Sequence, residues 1–421
     1  MMTTFPFDHL PVHGAEAPKL SALRDAGRAS FTAMGGLPGA RVEDFKYTPL
    51  AKLGEFRPRE PHAVDRIPAS VPEFQAVRLV LVNGRLDAGL SDLDALPKGV
   101  SVMAMADAVK DGAVLAMLGS TLPDQGLPMA GLNAARFKDG VAITIAAGAA
   151  LELPLHLISI TGAGAGIDPR HLVSLGENAE ATLVETHVSV GEGLLAINAV
   201  TELRLGPSAR LKHRVLFSEG ADATHIATTG VDVADKAVYD GVSLSLGLGL
   251  MRNEMRVTLS GAHAEAQLHG AYVGRDTAHI DTTTFIDHAR PDCLSRQVFK
   301  GVLGDRSRGV FQGKVLVRPD AQRTDGHQLH KALMLSDKAE IDCKPELEIY
   351  ADDVKCSHGA TIGEIDLDQL FYLRARGIDE ATARGLLVAA FVTETLDAVG
   401  EGALRDAFAA RLDTVLGGAL R

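Results

Sequence analysis

The residues best suited to hold a metal lie late in the chain. Cys356 and His358 stand two positions apart in Val354-Lys-Cys-Ser-His-Gly-Ala-Thr361. On a strand, positions i and i+2 share a face, so this sulfur and this imidazole can point into one site. Thiolate and imidazole together suit zinc, iron or an iron–sulfur cluster. The pair is half a ligand set. A structural zinc site takes four ligands, typically with C-x-x-C spacing, which the chain lacks. The remaining ligands must then come from elsewhere, a second chain included. The competing reading is a buried cysteine packed as a small hydrophobe beside a hydrogen-bonded histidine.

Other candidates carry less. His327 and His330 form an H-x-x-H in Thr324-Asp-Gly-His-Gln-Leu-His-Lys331, which reads as a hydrogen-bonded turn beside Asp325. Cys343, followed by Lys344-Pro345, reads as a packing residue at a strand end, and Cys293, in Pro291-Asp-Cys-Leu294, as a turn residue. His269, His279 and His288 recur among strand-like runs and read as solvated or ladder-paired. There is no Walker A, G-x-S-x-G or H-E-x-x-H sequence. The glycine-rich stretch Leu246-Gly-Leu-Gly-Leu250 lacks the third glycine and following helix of a dinucleotide site, so no nucleotide binding is expected of this chain.

These residues need a framework, and the middle of the chain supplies a repeating one. From about 137 to 362, short β-rich runs are broken by turns of one type: Asn178-Ala-Glu-Ala, Pro207-Ser-Ala-Arg, Ala234-Asp-Lys-Ala and Gly261-Ala-His-Ala. Their third residues are separated by 29, 27 and 27 positions, and Ser336-Asp-Lys-Ala339 repeats the pattern later. A fixed period in the twenties without long helices predicts a mainly β fold, a β-solenoid, over an antiparallel sandwich. Before it, residues 1–136 read as a helical and mixed region. A helix over Lys19–Met34 stops at Gly35-Gly36, a hairpin turns at Asn83-Gly84, and a second helix covers Val102–Leu118. After it, residues 363–421 read as three helices opening at Asp366 and Asp379, capping the open end of the solenoid.

Composition sets the outer limits. The chain has 421 residues, 42 basic against 54 acidic, a net charge of −12, which argues against nucleic acid or an anionic membrane as partner. No run of about 18 apolar residues spans a bilayer, and the N-terminus lacks a secretory pattern. Three cysteines are too few for a disulfide scaffold and suit a reducing cytoplasm. With no Trp and five Tyr, a β-helix enzyme working on polysaccharide is poorly supplied with sugar-stacking surfaces.

Three longer stretches carry a resemblance. Gly309-Val-Phe-Gln-Gly-Lys-Val315, the run from Glu348 to Thr361, and Asp368-Gln-Leu-Phe-Tyr-Leu-Arg-Ala-Arg-Gly-Ile378 resemble the SufB/SufD family of iron–sulfur cluster assembly proteins. Glu43-Asp-Phe-Lys-Tyr-Thr-Pro-Leu50 resembles the start of that family. Leu373 stands after Phe371-Tyr372 where SufB-type chains carry cysteine, so the likeness is to the SufD type. The resemblance implies a right-handed parallel β-helix flanked by helical N- and C-terminal regions. It further implies a non-catalytic scaffold that pairs with a SufB-like subunit, and a C-terminal region that docks a SufC-like ABC ATPase. The stripes Leu386, Phe391, Leu396 and Leu404, Phe408, Leu412 offer a surface for that docking. His358 would then be a ligand to iron or a transient cluster at the interface, with Cys356 beside it. A homodimer of the isolated chain stays open, as does a purely structural solenoid without a metal role.

Overall fold

The computed structural model describes residues 6–419 apart from 12, 15, 123–125, 247 and 248. The start of the chain, and Gly247 and Leu248 of the glycine-rich stretch, lie outside the described residues. Helix Pro18–Ala33 ends at Gly35 and Gly36, both with positive φ. The hairpin at Asn83-Gly84 pairs Leu81 with Leu86. The second predicted helix is broken: Val100–Ala104 is a strand, followed by short helices Met105–Ala108 and Gly112–Met117. Val100 and Val102 are half-buried against the solenoid core, and that packing overrides helical propensity.

From Leu155 to Gly363 the chain winds through two parallel sheets, one strand of each per turn. This is the predicted β-solenoid. Ile143, Val173, Leu203, Val231, Val257, Ile286, Val315 and Leu347 stand one above another in register, an aliphatic ladder in the interior. Burying each such side chain contributes about 1.5–3 kcal/mol. One column of turns carries left-handed residues at Asn178, Ser208, Lys236, His263, Asp292 and Arg323, 27 to 31 residues apart. The first four are the turns that the sequence marks. The later Ser336 turn stacks in the opposite column, its hydroxyl donating to the Asp305 carbonyl at 2.8 Å.

Both outer faces are covered. N-terminal segments lie on one sheet, where Asn133 donates to the carbonyls of Pro169 and Asn198. The C-terminal helices Leu367–Ala375, Glu380–Thr393 and Ala403–Ala419 are present, with Asp366 and Asp379 as caps. They do not close the solenoid's end, as the sequence suggested. Val388, Val392, Leu396, Phe408 and Leu412 pack instead on its flank, against Val184, Leu216, Leu244 and Val302. That outer face is itself apolar and needs cover, whereas an open edge can wait for a partner. Leu396, Phe408 and Leu412 are therefore core and unavailable for docking, whereas Leu386 stays exposed.

Several histidines are sealed inside, His288 among them, contrary to the solvated reading. Burial pushes the imidazole of His156 down to about 3, and those of His288 and His330 down to about 4. Arg78 facing His156 adds to the effect, Asp325 facing His288 opposes it, and His330 meets only neutral Tyr272 and Cys343. Unfolded histidines titrate near 6.5, so below that pH the unfolded chain binds more protons. Stability is complete above about 6.5 and falls towards about 4, each histidine withdrawing on the order of 3 kcal/mol. Urea unfolding at stepped pH should show this slope; a flat profile from pH 7 to 4.5 would refute it.

The open end of the solenoid as candidate functional site

Strand Val354–Gly363 runs parallel to Thr324–Met334, aligning Cys356 with Gly326, His358 with Gln328 and Ala360 with His330. Gly326, Gln328 and His330 are buried in the interior row. Alternation therefore puts Cys356 and His358 on the inward row of the last turn. Val354–Gly363 and Glu340–Ile349 are the terminal strands of their sheets, with no strand paired beyond them among the described residues. The inward row thus opens to solvent: His358 is exposed and Cys356 half-buried. Cys356 packs near Val315, Val317 and Leu347, and a Cβ at Gly326 would lie 3.5 Å from its sulfur. Tyr350, Ile349 and Ile362 are exposed around the same end, at 63%, 39% and 51%.

Cys343 is mid-strand in Glu340–Ile349, not at a strand end, and is aligned with the buried Phe311. Its Sγ lies 3.2 Å from His330 Nδ1. The His330 ring stacks on Phe311 at 4.6 Å, and its Nε2 meets the Tyr272 hydroxyl at 2.9 Å. The H-x-x-H is split by the strand. His330 points inward, while His327 points outward to Ser357 Oγ at 2.5 Å and Asp325 Oδ1 at 2.8 Å. Neither is in a turn, because both belong to Thr324–Met334. Cys293 does lie at a turn, buried, its thiol donating to the Gly261 carbonyl.

The inward row of the last turn therefore presents a half-buried thiol and an exposed imidazole, Cys356 and His358, while Cys343 lies against His330. Cys343 was legible as a cysteine but not as a neighbour of His330, since only the stacking of turns brings 330 and 343 together. Burial pushes the Cys343 thiol up to about 11 and raises that of Cys356. Both are protonated at neutral pH, so binding a soft metal must displace their protons.

Fold and site together define a parallel β-solenoid protein whose last turn presents an imidazole and a half-buried thiol at an open, apolar-rimmed end. Residues 158–391 match the family model for the SufBD core domain of SUF system FeS cluster assembly, and residues 8–157 that for the SufBD protein N-terminal region. The chain is 33% identical over 402 residues to the iron–sulfur cluster assembly protein SufD of Escherichia coli, covering 92% of this chain and 91% of that protein. A SufBD family protein of Synechocystis is 31% identical, covering 86% and 84%, and Protein ABCI7, chloroplastic, of Arabidopsis thaliana is 30% identical, covering 95% and 86%. The chain belongs to the SufBD family of iron–sulfur cluster assembly proteins, and it is a homologue of SufD.

Proposed function

We propose that this chain is the non-catalytic, SufD-type scaffold of a cytoplasmic cluster assembly complex. It pairs through its open end with a SufB-type subunit, and a nascent cluster is built between them. The observation that carries this reading is the uncovered last turn. Unpaired strand edges and exposed Ile349, Tyr350 and Ile362 surround a ligand set that only another chain can complete. His358 is the foremost ligand, with Cys356 beside it. The cluster is cargo, and borderline imidazole ligation lets it leave more readily than an all-thiolate cage would.

Pull-down from the native cell followed by mass spectrometry tests the pairing. A SufB-type chain and an ABC ATPase should arrive together, and Ile362→Lys should deplete the first. Recovery of a homodimer alone, or of an unchanged complex with Ile362→Lys, would sink the assignment of this end. For the ATPase, the exposed face of helix Leu367–Ala375 extends what the two stripes leave uncovered. Leu367, Phe371 and Tyr372 are 71%, 74% and 56% exposed, and Leu386 is exposed nearby at 51%. Aromatic anchors at interfaces cost about 2 kcal/mol or more when truncated. Phe371→Ser with Tyr372→Ser should weaken ATPase binding at least about tenfold while the SufB-type chain still binds. Undiminished ATPase binding would remove this helix from consideration. Deleting everything after Gly377 is a poorer test, because it strips the cover from Val184, Leu216 and Leu244.

A further inference from the structure

A second group of ligating side chains lies sealed inside the solenoid, far from the open end. His187 comes from strand Glu180–Val190, Glu219 follows strand Arg210–Ser218, and His225 belongs to strand Ala223–Val233 of the opposite sheet. Each offers one ligand atom, and these atoms lie within 4.8 Å of one another. All three are buried. Arg210–Ser218 is five strands from Val354–Gly363 along the sheet, about 24 Å at 4.8 Å per strand.

Hydrogen bonding leaves this cluster unsaturated. Glu219 Oε1 meets His225 Nδ1 at 2.6 Å, but Glu219 Oε2 and His225 Nε2 are buried with no partner. A buried polar atom left unpaired costs about 1–3 kcal/mol. Glu185 lies alongside, accepting from His213 at 2.9 Å and sitting 3.3 Å from His187 Nε2. Two carboxylates thus share a closed interior, and no arginine or lysine hydrogen-bonds either of them among the described residues. Their negative charge must be met by imidazole protons or by a cation. Around His187, Nε2 lies 3.3 Å from a Glu185 carboxylate oxygen, the kind of partner that orients a ligating histidine. That carboxylate is anchored in turn, since Nδ1 of His213 meets the Tyr239 hydroxyl at 3.0 Å. A cavity of about 20 Å³ borders His187, Glu185 and Phe217 on the side away from Glu219 and His225, which do not line it. An ion bound to nitrogen and oxygen at about 2.0–2.2 Å needs its ligand atoms about 3.4 Å apart, so small side-chain rotations from 4.8 Å close the site.

We propose that His187, Glu219 and His225 bind a divalent transition-metal ion of the zinc or ferrous class, stapling the two sheets together from within. Two imidazoles and a carboxylate suit these ions and not calcium or magnesium, which prefer all-oxygen shells. The ion takes one oxygen of Glu219 and one nitrogen of each histidine, and its charge offsets the buried carboxylates. It is independent of the cargo site, because no thiol takes part.

The test uses the full-length chain, unfolded with chelator and refolded with Zn²⁺, Fe²⁺ under anaerobic conditions, Co²⁺, or no metal. The expected result is one tightly held ion, a raised melting temperature, and a Co²⁺ spectrum without thiolate charge-transfer bands. His358→Ala with Cys356→Ser should keep that ion, whereas Glu219→Gln and His225→Gln should each weaken binding by more than about tenfold. The proposal is overturned if the refolded wild-type chain retains no ion, or if its cobalt spectrum carries thiolate bands. It is equally overturned if folded Glu219→Gln binds as tightly as wild type. Should that variant not fold, the wild-type stoichiometry and spectrum decide alone.

Discussion

In a complex reconstituted with a SufB-type partner and the ATPase, His358→Ala should assemble clusters at least about tenfold more slowly. The same chain should fold, melt and pair as before. Both halves follow from where the side chain sits. His358 is exposed on the last turn and has no hydrogen-bond partner in the described structure, so its loss removes almost nothing from the core. It is also the only imidazole on the inward row of Val354–Gly363. Cys356→Ser should have a smaller effect on assembly, because the thiol is half-buried against Val315 and Leu347 and is held protonated by that burial. Cys343→Ser tests the depth of the site. If Cys343 is only a partner for His330 Nδ1, the change alters stability and leaves assembly intact. Cluster assembly by the His358→Ala complex at the unmodified rate would reduce the histidine to a surface residue, and the open end to a docking edge alone.

The solenoid was legible because its turns repeat at nearly constant spacing, and each turn requires a residue that tolerates left-handed backbone. Asn178, Ser208, Lys236 and His263 fall in the four turns picked out by sequence. Cys356 and His358 were legible as a pair because a two-residue step on a strand keeps one face. What stayed hidden depended on register between turns. His187 and Phe217 are stacked at 5.0 Å, 30 residues apart in sequence, and His225 reaches them from the other sheet. No spacing rule within one strand announces that meeting. The destination of the C-terminal helices was misjudged for a related reason. Strands such as Val238–Leu246 carry apolar residues on both faces, with Val242, Leu244 and Leu246 facing outward, and a doubly apolar sheet must be covered along its flank before its end.

Arg252→Met should destabilise the chain by about 3–5 kcal/mol, the usual penalty for orphaning a buried charge. Arg252 is fully buried and pairs with both Asp281 and Glu254 on the outer face of one sheet. Its guanidinium lies 4.1 Å from the ring centroid of Phe45. The Thr48 hydroxyl donates to Asp281 Oδ2 at 2.5 Å and also meets His279 Nε2 at 2.9 Å. Phe45 and Thr48 belong to the Glu43–Leu50 stretch, so that short motif is a plug, seating the N-terminal region on the solenoid through one charge cluster. Methionine fills most of the arginine's volume but leaves Asp281 buried with no cationic partner, only the neutral hydroxyls of Thr48 and Thr283 donating to it. The N-terminal region should loosen first, becoming cleavable between residues 57 and 72, which carry no helix or strand, under conditions where the solenoid core resists protease. Replacing both charges, with Arg252→Met and Asp281→Leu, should recover much of the loss, since an apolar pair can substitute for a buried ion pair once neither charge is stranded. Urea unfolding of the three chains separates the possibilities. A single Arg252→Met variant as stable as the unmodified chain would mean that the Asp281 charge is met by other groups, and that the plug is held by the packing of Phe45 alone.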